Sequence, residues 1–101
     1  MVVTVFRNRL RPDAQPAYSE WIARMSALAR TMPGYISHKS FTAEDGERVT
    51  IVEFESEEAQ RAWATHQEHV EAQRKGRQSF YSEYRLQVCN VVRDSSMPKG
   101  A

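Results

Sequence analysis

Apolar and polar residues follow two different repeats along the first half of the chain. Residues 2–10 are rich in β-branched and aromatic side chains, which is typical of a strand. From residue 13 to about 32, apolar side chains recur every three to four positions, which predicts an amphipathic helix with one buried face. Pro33 and Gly34 follow, and proline cannot extend the hydrogen-bond ladder of a helix. The first half therefore begins with a strand and a helix.

The second half predicts two strands, a helical region and a last strand. Glu44-Asp45-Gly46-Glu47 is a hairpin signal between strands at residues 35–42 and 48–55. Ser56 suits a helix N-cap, because its hydroxyl can accept from a free backbone N–H. The helix should run to about residue 66 and continue as a further segment to Lys75, with Gly76 as its C-terminal cap. A long strand over residues 80–93 and a tail at 94–101 complete the chain.

The resulting β-α-β-β-α-β order predicts an α+β, ferredoxin-like fold, in which both helical regions cover one face of an antiparallel sheet. The final strand carries apolar residues on both sides. Alternation places Tyr84, Leu86, Val88 and Val92 on one side and Tyr81, Cys89 and Val91 on the other. Since the helices cover only one face, we expect a second copy of the chain to cover the other, giving a homodimer.

Composition restricts the classes of function. A chain of 101 residues with a formal charge of +1 is the size of one domain, and it lacks the basic excess of a nucleic-acid-binding surface. Its one cysteine excludes an internal disulfide. Neither a secretory start nor an apolar stretch of membrane-spanning length is present in the sequence. We therefore expect a cytoplasmic protein with no membrane or nucleic-acid partner.

The densest group of chemically useful side chains is Trp63, His66 and His69. Helical spacing predicts that Trp63, His66 and Val70 share one stripe, with His69 beside it. Trp63 can stack on a flat aromatic ligand or simply anchor the helix in the core. Either imidazole can serve as a general base near neutral pH; the alternative is one half-buried and one solvated histidine.

Further candidates lie outside this segment. Asn8 shares a strand face with Phe6 and Leu10, so its amide must be satisfied by backbone or by a ligand oxygen. Tyr18 and Tyr84 are candidates for the opposite wall of a pocket, and Arg77 can supply positive charge for an anionic substrate. The alternatives are core packing for the tyrosines and a solvated surface position for the arginine.

Metal and nucleotide cofactors are not predicted. His66-x-x-His69 offers two neighbouring ligands without a clear third, whereas catalytic zinc takes about three protein ligands. The chain has four glycines, at positions too scattered for a glycine-rich nucleotide loop. We expect no cofactor.

Residues 1–93 resemble the antibiotic biosynthesis monooxygenase (ABM) domain of the dimeric α/β-barrel superfamily. The resemblance is carried by Asn8-Arg9-Leu10, Met32-Pro33-Gly34-Tyr35, and the block 54–59 that leads to Trp63 and His69. It implies two sheets packed face to face across a dimer, with a pocket between helices and sheet in each protomer. Some relatives oxidise polycyclic phenols with O2 and no cofactor, and others cleave haem.

The haem-cleaving branch has three expected positions. Resemblance implies an asparagine on the first strand, a tryptophan on the second helix and an iron-ligating histidine ten residues after it. Asn8 and Trp63 fit the first two positions, but the third is Gln73, and glutamine is a poor iron ligand. His69 lies one helical turn before that position.

Our hypothesis from the sequence is a cofactor-free monooxygenase that acts with O2 on an electron-rich aromatic such as a quinol or polyphenol. His66 or His69 would accept a proton, Asn8 would donate to the substrate oxygen, and Trp63 would stack on the ring. One alternative is a non-catalytic dimeric module that binds a small aromatic ligand. The other is a haem-binding or haem-degrading protein in which His69 replaces the missing histidine.

Overall fold

The computed structural model describes residues 1–97, apart from the side chain of Gln15. Four strands form one antiparallel sheet in the order β2-β3-β1-β4, and the helices lie on one of its faces. The elements are β1 (Val2–Leu10), α1 (Gln15–Ala29), β2 (Tyr35–Thr42), β3 (Arg48–Phe54), α2 (Glu57–Ala64), α3 (Gln67–Lys75), a one-turn π-helix (Gly76–Phe80) and β4 (Tyr81–Asn90). The predicted α+β, ferredoxin-like fold is confirmed.

Local signals in the middle of the chain act as predicted. The hairpin between β2 and β3 is closed by the Ala43 N–H, which donates to the Glu47 carbonyl at 2.8 Å. Ser56 is the N-cap of α2, where its hydroxyl accepts from the Ala59 N–H at 3.1 Å. Gly34 has a φ of +81°, and a Cβ added there would lie 2.5 Å from the Ala59 Cβ. The turn into β2 therefore needs glycine for both its conformation and its close approach to α2.

Two groups of buried side chains hold the helices on the sheet. The larger group joins Met25 and Ala29 of α1, Phe54 of β3 and Trp63 of α2. The smaller group contains Ala14, Tyr18 and Phe80. Trp21 of α1 packs against both groups and connects them.

The helical stripe predicted for Trp63, His66 and Val70 is wrong, because the helix ends after Ala64. His66 has an extended backbone (φ −60°, ψ 133°) and becomes the N-cap of α3. Its Nδ1 accepts from the Glu68 N–H at 3.2 Å. Val70 is exposed, so it does not share the buried face of Trp63.

Gly76 is the C-cap of α3, as predicted. It is helical, with φ −58° and ψ −49°, and it opens the π-helix. A Cβ at Gly76 would lie 2.5 Å from the Tyr81 Cε2. Glycine is needed here because the Tyr81 ring occupies the place of a side chain.

Tyr81 lies on the helix side of the sheet, contrary to the face expected from simple alternation. Glu83 pairs with Arg9, but Tyr81 pairs with Leu10, so β4 has one extra residue at this point. Such a bulge reverses the alternation of side chains beyond it. Tyr81 consequently shares a face with Tyr84, although side chains three residues apart in a regular strand point to opposite faces.

The chain after β4 has no regular secondary structure as far as Met97. The predicted tail at 94–101 is covered in part, since residues 98–101 lie outside the described range. Within residues 1–97, no helix combines the length and apolar character needed to cross a membrane.

Candidate functional site

A cavity of about 320 Å³ lies between the helices and the sheet. Its volume falls in the range of small-molecule sites, roughly 300–1,000 Å³. Side chains from all four strands and all three α-helices contribute to the wall, together with Arg77 from the π-helix. The lining residues are Thr4, Phe6, Ile22, Met25, Ser26, Ala29, His38, Thr50, Val52, Gln60, Trp63, Ala64, His69, Ala72, Gln73, Arg77, Tyr81, Tyr84 and Leu86.

Trp63 and His69 form a stacked pair in this wall. Their ring centroids are 4.0 Å apart and their planes differ by 13°. Trp63 is 7% exposed, and its indole also belongs to the larger core group. Since His69 covers one indole face, the aromatic wall that a ligand meets is the Trp63–His69 pair and not a free tryptophan.

The hydrogen bond of His69 fixes where its proton lies. Nδ1 is 2.9 Å from the Trp63 carbonyl oxygen, and a carbonyl only accepts, so Nδ1 carries the hydrogen. In the neutral ring, Nε2 then holds the free lone pair. Burial lowers the pKa of His69 below its ordinary value, although the hydrogen bond to Trp63 opposes this and His66 adds to it. Near pH 7 the ring is therefore a neutral base.

Arg77 is the sole permanently charged residue among the described residues that line the cavity. No aspartate or glutamate belongs to that lining, and within residues 1–97 Arg77 forms no ion pair. Other arginines, such as Arg7 with Glu47, are paired on the surface. The electrostatic environment of the cavity thus favours a ligand that carries or develops negative charge.

Tyr81 separates the cavity from the smaller core group. Its ring contacts Phe6 and Tyr84 on the sheet, at centroid distances of 5.4 and 6.1 Å, and Tyr18 on α1 at 5.9 Å. Burial, and then the nearby Tyr18, raise the pKa of Tyr81 far above its ordinary value. Tyr81 is therefore a neutral wall residue, which simple strand alternation did not identify.

Asn8 lies close to the cavity but outside its lining. It is 1% exposed, and neither of its amide atoms has a hydrogen-bond partner within residues 1–97. Phe6 and Leu10 flank it on the same face of β1, and Tyr81 contacts Phe6 and pairs with Leu10. The Asn8 amide is thus enclosed by protein and does not form part of the cavity wall.

Of the residues chosen from the sequence, Trp63, His69, Arg77 and Tyr84 meet in the cavity, and three others do not. Tyr18 is buried against Phe80, with the Arg48 guanidinium 5.0 Å from its ring centroid. The side chain of His66 is used in capping α3. Tyr18, His66 and Asn8, which the sequence suggested for the same site, therefore lie outside the cavity lining.

The structure adds a second imidazole that the sequence analysis did not select. His38 on β2 lines the cavity, with Nδ1 2.6 Å from the Tyr35 hydroxyl and Nε2 3.1 Å from the Ser26 hydroxyl. His38 pairs with Val52 across the sheet, and Val52 faces the helices. The register of this hairpin is the signal that could have identified it.

Comparison with known proteins now places the chain in a family. A sequence profile described as antibiotic biosynthesis monooxygenase (ABM) matches residues 1–75. The chain belongs to the ABM family. It is also 32% identical over 89 residues to the uncharacterized protein YqjZ of Bacillus subtilis (strain 168), across 88% of this chain and 78% of that protein.

Solved structures share the ABM fold at low identity. Rv0793 from Mycobacterium tuberculosis superposes with a TM-score of 0.82 and 20% identity, over 94% of this chain and 98% of the other. SnoaB, a cofactor-independent oxygenase from Streptomyces nogalater, gives 0.78 and 16%, over 92% and 94%. An ABM protein from Deinococcus radiodurans gives 0.85 and 7%, over 97% and 99%. These likenesses establish the fold.

The cavity residues do not match the haem site implied for one branch of the ABM family. Gln73, at the position of the expected iron ligand, does face the cavity. Its amide oxygen is a hard, neutral donor, whereas haem iron takes imidazole, thiolate, thioether or phenolate ligands. His69, one turn earlier, is stacked on Trp63 and held by its carbonyl. The donor set therefore does not fit haem cleavage of that type.

Proposed function

We propose that the protein is a cofactor-independent monooxygenase that oxidises a small electron-rich aromatic, such as a quinol or polyphenol, with O2. The observation that supports this most directly is the neutral His69 imidazole in a largely apolar cavity, with Nδ1–H held by the Trp63 carbonyl. That arrangement leaves Nε2 as a base for a phenolic hydroxyl. Membership of the ABM family supports the same class of reaction.

The reaction balances without an added reductant. One quinol and one O2 give one hydroxyquinone and one water. One oxygen atom forms a new bond to a ring carbon, while the other leaves as water. The aromatic loses two hydrogens overall and supplies both pairs of electrons that reduce O2. Since the substrate is the reductant, the protein has to bind it, remove a proton and stabilise the anion.

Four of the cavity residues have a role in these steps. His69 takes the phenolic proton at Nε2, and the Trp63 carbonyl stabilises the resulting imidazolium through Nδ1–H. Arg77 stabilises the phenolate and the negative charge that moves to oxygen. Tyr84 and the stacked Trp63–His69 pair hold the ring of the substrate. Asn8 has no direct role here, because it is buried outside the cavity lining.

Labelling with ¹⁸O2 tests the reaction class. Metal-free protein, prepared with a chelator, would be incubated with 1,4-dihydroxynaphthalene under ¹⁸O2, and the product analysed by mass spectrometry. A monooxygenase places one ¹⁸O in the product and the other in water. Accelerated oxidation that leaves no ¹⁸O in the product would indicate that the protein is an oxidase. Binding without any oxygen uptake would favour the alternative, a dimeric ligand-binding module.

We also propose that the protein is a homodimer formed through the sheet face that the helices leave open. Val5 and Ile51 are paired on this face at the centre of the sheet, and Val49 pairs there with Phe41, which is 50% exposed. A second copy of the same face would cover these side chains. Such a self-complementary contact is what a two-fold symmetric dimer requires.

A further inference from the structure

A second polar array enters the cavity from α1 and β2, apart from His69 on α3. Ser26 and His38 both line the cavity, and their side chains are linked at 3.1 Å. Tyr35 completes the chain through its hydroxyl, 2.6 Å from the other nitrogen of His38. The Tyr35 ring also packs edge-on against the fully buried Phe54, which fixes its position.

This array can present either a donor or an acceptor to a ligand. If the Tyr35 hydroxyl donates to Nδ1, then Nε2–H donates to the Ser26 oxygen, and the Ser26 hydrogen is free to donate. If Nδ1–H donates to Tyr35 instead, Ser26 donates to Nε2 and its oxygen is free to accept. Both states require a neutral His38.

The charge state of His38 agrees with this requirement. Burial, and secondarily the nearby Arg30, lower the pKa of His38 from its ordinary value. The ring is therefore uncharged near pH 7. A charged imidazolium would donate from both nitrogens, to Tyr35 and to Ser26, so neither direction of the chain could form.

We propose that Ser26 is a second substrate-binding group, positioned by His38 and Tyr35, and that it selects aromatics with oxygen substituents on two sides of the ring system. One oxygen faces His69 and the other faces Ser26. Oxidation converts hydroxyl donors into carbonyl acceptors, and the reversible chain fits both. The proposal rests on the proposed function for its class of ligand, but its test does not depend on turnover.

The test is anaerobic binding, followed by calorimetry, of 1-naphthol and 1,4-dihydroxynaphthalene. Without O2 neither probe turns over, so affinity is measured alone. One added hydrogen bond should make the dihydroxy compound bind roughly 3- to 10-fold more tightly to the unaltered protein. In Ser26→Ala that ratio should fall to about 1. Alanine is a strong helix former, so α1 is retained in this variant.

Three further variants separate binding from a merely structural role. Ser26→Thr keeps the hydroxyl and should restore the preference. Tyr35→Phe keeps the ring on Phe54 but removes the partner of Nδ1, and it should reduce the preference partly. Ser37→Ala, on the same strand, removes a hydroxyl that donates to Glu53 at 2.6 Å outside the cavity, and it should leave the ratio unchanged.

The outcomes distinguish this proposal from the proposed function. An unchanged ratio in Ser26→Ala, or no preference in the unaltered protein, would overturn the role of Ser26 while leaving oxygen chemistry at His69 intact. A Ser26-dependent preference with no oxygen uptake under air would support the two-oxygen ligand and overturn the monooxygenase. If neither compound binds, the aromatic ligand that the Ser26 proposal and the proposed function share is wrong.

Discussion

His69 lies flat on the indole of Trp63 and also donates through Nδ1 to the carbonyl of the same residue, at 2.9 Å. This double contact is possible because the helix ends after Ala64 and the chain is extended at His66 before α3 starts. It fixes both the plane and the tautomer of the imidazole. A base fixed in this way needs little reorganisation when it accepts a proton.

The free energy of unfolding should fall as the pH is lowered from 7 to 5. His38 and His69 both have a lowered pKa in the folded state, so below about pH 6.5 the unfolded chain binds more protons. Urea unfolding at a series of pH values measures this slope. The double variant His38→Gln/His69→Gln should have a shallower slope, and an equally steep slope would contradict the lowered pKa values.

Replacing Asn8 with leucine should stabilise the fold. The amide is 1% exposed and unpartnered within residues 1–97, so an apolar side chain of similar size removes a desolvation cost of about 1–3 kcal/mol. Urea unfolding gives the change directly. As a control, Thr4→Val alters another buried polar residue on the same face of β1. A loss of stability in Asn8→Leu would indicate that the amide has a partner.

Haemin should not bind specifically through His69. Titration followed by absorbance should show the same spectra for the unaltered protein and His69→Ala, because Gln73 replaces the histidine that the haem-cleaving branch requires. Gln73→His is the positive control, since it places an imidazole on the cavity wall. A saturable Soret shift that disappears in His69→Ala would restore the haem hypothesis.

A charge at the centre of the open sheet face should convert the dimer to a monomer. Ile51→Lys places an ammonium opposite Val5, where a second copy would bury it at high cost. Light scattering after size exclusion should give twice the chain mass for the unaltered protein and the chain mass for the variant. Val70→Lys, at an exposed apolar residue on α3, should remain dimeric. An unaltered protein that is monomeric at micromolar concentration would contradict the proposed interface.

The element order was predictable because it depends on local signals. The hairpin before Arg48 and the Ser56 cap act within a few residues of where they occur in the sequence. The residues of the site were harder to predict from the sequence, because their positions depend on two local breaks in the regular repeat of side chains. A helix break makes His66 the N-cap of α3, outside the cavity lining although its ring is 6.3 Å from that of Trp63, and a bulge in β4 turns Tyr81 inward. Neither break has a strong sequence signature.

Long-range register determines the rest of the site. His38 lines the cavity because the β2–β3 hairpin pairs it with Val52, whereas Asn8 pairs with Arg48 and Tyr84 and is buried outside the lining. These relations involve residues far apart in sequence. Spacing within one segment cannot reveal them. The contact between Trp63 and His69, by contrast, could be predicted from their spacing in one segment.

Oxygen uptake by matched histidine variants tests the central claim most directly. The unaltered protein, His69→Asn and His66→Asn would be supplied with 1,4-dihydroxynaphthalene, with the uncatalysed rate subtracted. Asparagine keeps the N-cap of α3 at position 66. Loss of a general base should reduce the rate roughly 10²- to 10⁴-fold in His69→Asn. His66→Asn should retain the full rate. Equal rates for the unaltered protein and His69→Asn, or a loss confined to His66→Asn, would contradict the assignment of His69 as the base.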